Sequence, residues 1–276
     1  MEQSLWGQVL EAIASGARLT GFTRLGDGTT NDIVRLAYEA PDGSAGEVIA
    51  RRRRGAAAYR DGLSTMAYEF QLLRFLHAHG LPVPRPLALL AKSGDGERPI
   101  LVSEFVAGSS SMAAAHIPAA MDEAADLLAR VHALDVRAPA LSFLVKRTFP
   151  VERVATMANA AVLLHGDFWP GNLLWRDGRV AAVLDWEDAG LGNPLIDLAG
   201  TRLELWLTYG PEAAERFTKR YQAARPQVRL EYLAPFELQV ASRARPLLPS
   251  WTSDPVRLRS MSAALDAFAA NARRQI

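Results

Sequence analysis

The segment Leu163 to Glu187, LLHGDFWPGNLLWRDGRVAAVLDWE, constrains this chain more than any other. Leu163 and Leu164 lead into His165-Gly166-Asp167, and Asn172 follows five residues after Asp167. Leu173 to Trp175 reads as a strand, Arg176 to Arg179 as a hairpin turn, and Val180 to Leu184 as a second strand. That strand ends on Asp185. One loop therefore presents an Asp and an Asn, and the hairpin behind it delivers another Asp. Taken singly these residues say little: an H-G-D triplet is more often an ordinary turn, His165 a satisfied core histidine and Asp185 a strand-end cap. It is the set, at this spacing, that is hard to reach by accident.

The set suits phosphoryl transfer. That chemistry asks for a carboxylate to orient an attacking hydroxyl and for oxygen ligands that hold Mg²⁺ against phosphates. Protein kinases arrange these groups as H-R-D-x-x-x-x-N, with a metal-binding Asp on a later strand. His165, Asp167 and Asn172 keep that spacing, and Asp185 stands in for the second motif. Gly166 replaces the Arg. That departure, with Trp169-Pro170-Gly171 before the Asn and Asp185-Trp186-Glu187 after the hairpin, resembles the aminoglycoside phosphotransferase and choline kinase family. The resemblance implies an α+β, two-lobed protein-kinase-like fold, with an antiparallel β-sheet small lobe and a mainly helical large lobe. It implies a division into residues 1–106 and 107–276, with MgATP as donor and a small-molecule hydroxyl as acceptor. Asn172 and Asp185 are then the Mg²⁺ ligands, Asp167 the catalytic carboxylate, and His165 the residue that shapes its loop.

Composition is compatible with this and excludes several other classes. The chain has 276 residues, 49% apolar, with a formal net charge of +1, which suits a soluble protein with a large core. No apolar run approaches the ~18 to 20 residues that a membrane helix needs. The opening MEQSLWGQVLEAIASG lacks a basic n-region, so no signal peptide is expected. The chain has no Cys, which removes disulfides, thiolate nucleophiles and cysteine metal sites and fits a cytoplasmic location.

An amphipathic helix ending near Gly16 opens the chain. Strands are expected over Arg18 to Leu25, Asp32 to Glu39 and Glu47 to Arg52. The connection Gly26 to Asn31 lacks a full G-x-G-x-x-G and on its own reads as a hairpin turn. In context Thr29, Thr30 and Asn31 can donate hydrogen bonds to phosphate oxygens. The third strand runs into four consecutive arginines. Alternation turns Arg51 and Arg52 to opposite faces, so one of them can serve the phosphates; Val48-Ile49-Ala50-Arg51 resembles the kinase V-A-I-K pattern, and we take Arg51. Its partner is then Glu69, on a helix expected over Asp61 to His79. Arg is not a neutral replacement for Lys, because a planar fork meets phosphate differently from a point charge. The strand Ile100 to Val106 corresponds to the hinge, where the backbone of Glu104 and Val106 reads adenine.

Further helices are expected over Pro118 to Leu134, Leu195 to Tyr209, Glu212 to Ala224, Leu230 to Leu247 and Pro255 to Arg274. His132 and Asp197 read as structural anchors of the catalytic loop. Trp206, Tyr209, Tyr232 and Trp251 are candidates for an acceptor pocket, though a core role is the better prior for each. From Thr201 onward seven acidic residues face twelve Lys and Arg. A polycationic aminoglycoside calls for carboxylates, so this balance favours a neutral or anionic hydroxyl compound. Two rivals stand beside the kinase reading. A nucleotide-binding pseudokinase would share the fold without turnover. A nucleic-acid module would use the Arg run, against which the near-neutral charge and the lack of interleaved aromatics count; neither a nucleic acid nor a membrane is expected as a partner.

Overall fold

In a computed structural model of the protein, the residues described are 2–26, 31–54, 59–60, 63–90, 98–111, 116–149 and 159–276. They separate into two compact units. The first is Met1–Ala107 with Ala182–Glu187, and the second is Gly108–Ala181 with Asp188–Ile276.

The first unit is built on a five-stranded antiparallel sheet. Its strands are β1 (Arg18–Arg24), β2 (Asn31–Glu39), β3 (Ala45–Arg53), β6 (Pro86–Leu90) and β7 (Ile100–Glu104), in the order β1-β2-β3-β7-β6. A two-residue pair, β4 (Tyr59–Arg60) and β5 (Leu63–Ser64), precedes helix α2 (Thr65–Ala78). Helix α1 (Glu2–Glu11) lays Trp6, Val9 and Leu10 on one sheet face, against Val34, Leu36, Val48, Ala50, Ile100 and Val102. Those sheet residues alternate along their strands, so one face is core throughout. The expected helix over Asp61 to His79 begins at Thr65, because Leu63 and Ser64 are in β5.

Strand alternation also decides the arginines. Arg52 shares the buried register of Val48 and Ala50 and approaches Asp32, opposite it on β2, at 3.6 Å. Arg51 turns the other way and pairs with Glu69 of α2.

In the second unit β8 (Val162–Leu164) pairs with β11 (Gly190–Gly192), a strand that the sequence reading did not anticipate. β9 (Leu173–Arg176) and β10 (Arg179–Val183) form the expected hairpin. Asp177 and Gly178 at its tip both have positive φ, 52° and 75°. Two successive left-handed residues match the right-handed twist of the strands they join. The rest is helical: α3 (Ile117–Val131), α4 (Leu195–Tyr209), α5 (Pro211–Ala224), α6 (Leu233–Ala244), the short α7 (Leu248–Trp251) and α8 (Pro255–Arg273). The expected long helix Leu230 to Leu247 is α6 flanked by two single 3₁₀ turns. Leu203, Ala241, Ala244, Leu265 and Phe268 form one core cluster.

A buried polar knot joins α4, α5 and α6. Arg202 donates to Glu237 at 2.6 Å, to the Thr218 hydroxyl and to Glu215 at 2.9 Å. A guanidinium this deep persists because its donors are met; removing one partner would strand a charge.

Candidate active site

The loop after β8 is held from below by one carboxylate. Asp197, in the first turn of α4, accepts the His165 N–H at 2.7 Å and the Gly166 N–H at 2.9 Å. It also meets His132 Nε2 at 3.1 Å, and His132 Nδ1 lies 2.6 Å from the Tyr221 hydroxyl. Burial alone would raise the Asp197 carboxyl; its bond to His132 and the neighbouring His132 and His165 rings outweigh that and hold it below the usual carboxylate range. His165 is fully buried, and its Nδ1 accepts the Asp167 N–H at 3.2 Å. One turn further along α4, Thr201 donates to the Phe168 carbonyl at 2.7 Å. Residues 197, 200, 201 and 204 share a helical face, and that face runs along the loop.

Two glycines of the motif are dictated by close approach. Gly166 has φ +87°, and a Cβ there would fall against the Asp188 carbonyl oxygen. An Arg at this position, as in protein kinases, does not fit. A Cβ on Gly171 would strike the Trp169 ring, which lies over it. Pro170 opens a single 3₁₀ turn that ends on Asn172. Asn172 then donates through Nδ2 to the Asp167 carbonyl at 2.9 Å and to its carboxylate at 3.0 Å.

Asp167 lines a cavity of about 410 Å³ within the second unit. Its walls come from the loop itself, from Arg147 to Phe149, from α4 and from α6 and α7. Glu204 lines it too. Burial first, and the Asp167 charge second, push the Glu204 carboxyl up to about 7. Sequence reasoning missed Glu204 as a site residue. Its one available signal was its place seven residues after Asp197, two helical turns along the same face.

Of the aromatic candidates only Trp251 lines this cavity. Trp206 packs edge-on to Phe268 at 5.5 Å, Tyr209 borders a separate surface groove, and Tyr232 lies under the Arg229 guanidinium.

The remaining predicted residues gather in the first unit. Arg51 pairs with the buried Glu69 and lies 3.8 Å from Asp185. Burial pulls the Arg51 guanidinium down, while Asp185 and Glu187 oppose that. An arginine keeps its charge under such influences. Glu69 also accepts the Trp186 N–H at 3.4 Å, and Val183 donates to the Pro82 carbonyl at 2.7 Å. Asp185 itself sits at φ 61°, a left-handed conformation uncommon outside glycine and concentrated at functional positions. Asn31 donates to Glu187 at 3.4 Å. Thr29 and Thr30 lie outside the described residues. Glu104 exchanges backbone and side-chain bonds with Arg85, its N–H donating to the Arg85 carbonyl and its carboxylate accepting the Arg85 N–H, both at 3.0 Å. Val106 follows it just beyond the strand.

A model of the phosphotransferase enzyme family matches residues 21–153 and 145–231, most of the chain. The chain belongs to that family. Among relatives within reach of sequence, an aminoglycoside 3′-phosphotransferase from Streptomyces fradiae is 29% identical over 212 residues, covering 62% of this chain and 76% of that one. An 82-residue stretch, 28% of this chain, is 38% identical to the N-acetylmuramate/N-acetylglucosamine kinase of Caulobacter vibrioides; it spans 23% of that protein. A solved structure from Ralstonia eutropha JMP134, provisionally assigned as an aminoglycoside phosphotransferase, superposes with a TM-score of 0.66 at 17% identity, over 99% of this chain and 97% of that one. A thermostable aminoglycoside phosphotransferase mutant, solved with ADP and hygromycin B, gives 0.59 at 14% identity, over 95% and 98%. The phosphotransferase fold is protein-kinase-like, an antiparallel sheet combined with a largely helical part.

Among the described residues, no cluster of three or more His, Asp and Glu could hold a metal by itself. Mg²⁺ keeps several waters and takes most of its other oxygens from phosphates. Taken singly, Asn172 turns its amide nitrogen to Asp167, with its carbonyl oxygen on the other side, and Asp185 carries a carboxylate oxygen, both donor types that Mg²⁺ takes. No helix among the described residues is long and apolar enough to cross a membrane.

Proposed function

We propose that this family member moves the γ-phosphoryl group of ATP to a hydroxyl of a small molecule. The observation that carries the reading is Asp167: a carboxylate clamped by Asn172, on a loop pinned by Asp197, lining a cavity large enough for a small acceptor. Asp167 accepts a hydrogen bond from the acceptor hydroxyl and takes its proton as the new P–O bond forms. His165 keeps the loop in shape. Asn172 and Asp185 would hold Mg²⁺, which would neutralise charge on the phosphates. Arg51, steadied by Glu69, binds phosphate oxygens, with Thr29, Thr30 and Asn31 as further donors, and the backbone of Glu104 and Val106 reads the adenine. The relatives named above, kinases of amino sugars and of aminoglycosides, support the reaction class.

ADP release from MgATP is to be measured against a panel of hydroxyl compounds. Turnover should require Mg²⁺ and fall by about 10²–10⁴-fold in Asp167→Asn, with the far-UV circular dichroism unchanged. A folded Asp167→Asn protein that keeps full turnover would refute the assignment. ATP binding without ADP release from any acceptor would favour the pseudokinase reading instead.

A further inference from the structure

We propose that the acceptor is a hydroxy acid: a hydroxyl at one end, an apolar body, and a carboxylate at the other end read by Arg243. This deepens the reading above and rests on Asp167 as the proton acceptor.

The charges around the cavity support it once their partners are counted. Asp197 already accepts two backbone N–H groups and His132. Asp188 pairs with Arg147 at 2.8 Å. Burial and the Asp167 charge favour the protonated form of Glu204. Among the described lining carboxylates, two are engaged by partners and a third favours its protonated form, which is a poor match for a polycation.

On the basic side, Arg243 of α6 lines the cavity and has no carboxylate partner among the described residues. Its guanidinium lies 5.2 Å from the centre of the Phe149 ring, which stacks on Phe236 at 6.1 Å. Arg243 is otherwise exposed, and the ring lies beside a planar fork of the kind that binds a carboxylate bidentately. Arg147, already paired with Asp188, keeps a buried Nε with no hydrogen-bond partner among the described residues. Leu203, Val240 and Trp251 supply apolar wall. A hydroxyl directed to Asp167 and an anion directed to Arg243 would leave such a body against that wall.

Three probes of one shape separate the possibilities: 4-(hydroxymethyl)benzoate, 4-(hydroxymethyl)benzamide and 4-(hydroxymethyl)benzylamine. Binding to the full chain is read by calorimetry without nucleotide, and ADP release is read with MgATP. The benzoate should bind more tightly than the benzylamine by roughly tenfold or more, the amide lying between. Arg243→Gln, folded by circular dichroism, should remove that preference. Equal binding of all three, no binding of any, tighter binding of the benzylamine, or a preference that survives Arg243→Gln would each overturn the proposal. The two readings fail separately. Arg243-dependent benzoate binding without ADP release leaves the ligand class standing and removes phosphoryl transfer to it. Turnover of the benzylamine but not the benzoate does the reverse.

Discussion

Glu204→Gln should make the protein more stable at alkaline pH and leave it unchanged in acid. The Glu204 carboxyl is raised from 4.5 to about 7, by burial first and by Asp167 second. A raised acid binds its proton more tightly in the folded state than in the unfolded one. Its contribution is therefore fully present below about pH 4.5 and is lost as pH rises through about 7. A rise of this size corresponds to about 3 kcal/mol, an upper figure because water reaching the cavity screens part of it. Gln has similar shape and no proton to lose. The stability difference between Glu204→Gln and the parent should be near zero at about pH 4 and approach about 3 kcal/mol at pH 8 to 9. Urea unfolding followed by circular dichroism at several pH values measures it. Adding Asp167→Asn should shrink the difference without abolishing it, since burial is the larger cause. A difference that does not change with pH, or that grows towards acid, would refute the reasoning.

Two further outcomes follow from the loop. Gly166→Ala must place a methyl group against the Asp188 carbonyl at φ +87°; it should lower stability by about 1–3 kcal/mol and depress kcat, read by urea unfolding and ADP release. Asp197→Asn removes the charge that binds His132 and turns a donor towards two backbone N–H groups. It should cost about 1–3 kcal/mol and disorder the His165 to Phe168 loop, seen as faster amide exchange at Gly166 and Asp167.

Much of the architecture was legible because its signals are local. The tip of the β9–β10 hairpin follows from Asp177-Gly178, two residues that tolerate positive φ. Helix α4 was expected over its observed range, Leu195–Tyr209, because apolar residues recur along most of it at helical spacing. β11 was not, since three residues of Gly-Leu-Gly carry no alternation to read; only pairing with β8 makes them a strand. The charge count after Thr201 was a weak guide for the same reason. Arg216 and Arg220 are matched by Asp122 and Asp126, outside the counted stretch, while Arg202 is matched by Glu237 and Glu215 within it. A sum along the chain cannot tell a paired cation from an open one.

The sequence by itself determined which chemical groups stand together on the loop and hairpin, because their spacing is covalent and a turn or a strand of fixed rise leaves little freedom. It also determined the family, which those spacings carry. Tertiary structure alone decided which groups are desolvated and by whom. Glu204 is an unremarkable helical glutamate until it lines the cavity with Asp167, and Arg51 differs from Arg52 only by the face on which Glu69 waits. Burial and pairing are properties of residues distant in sequence, and they set the protonation and charge that any bound molecule meets.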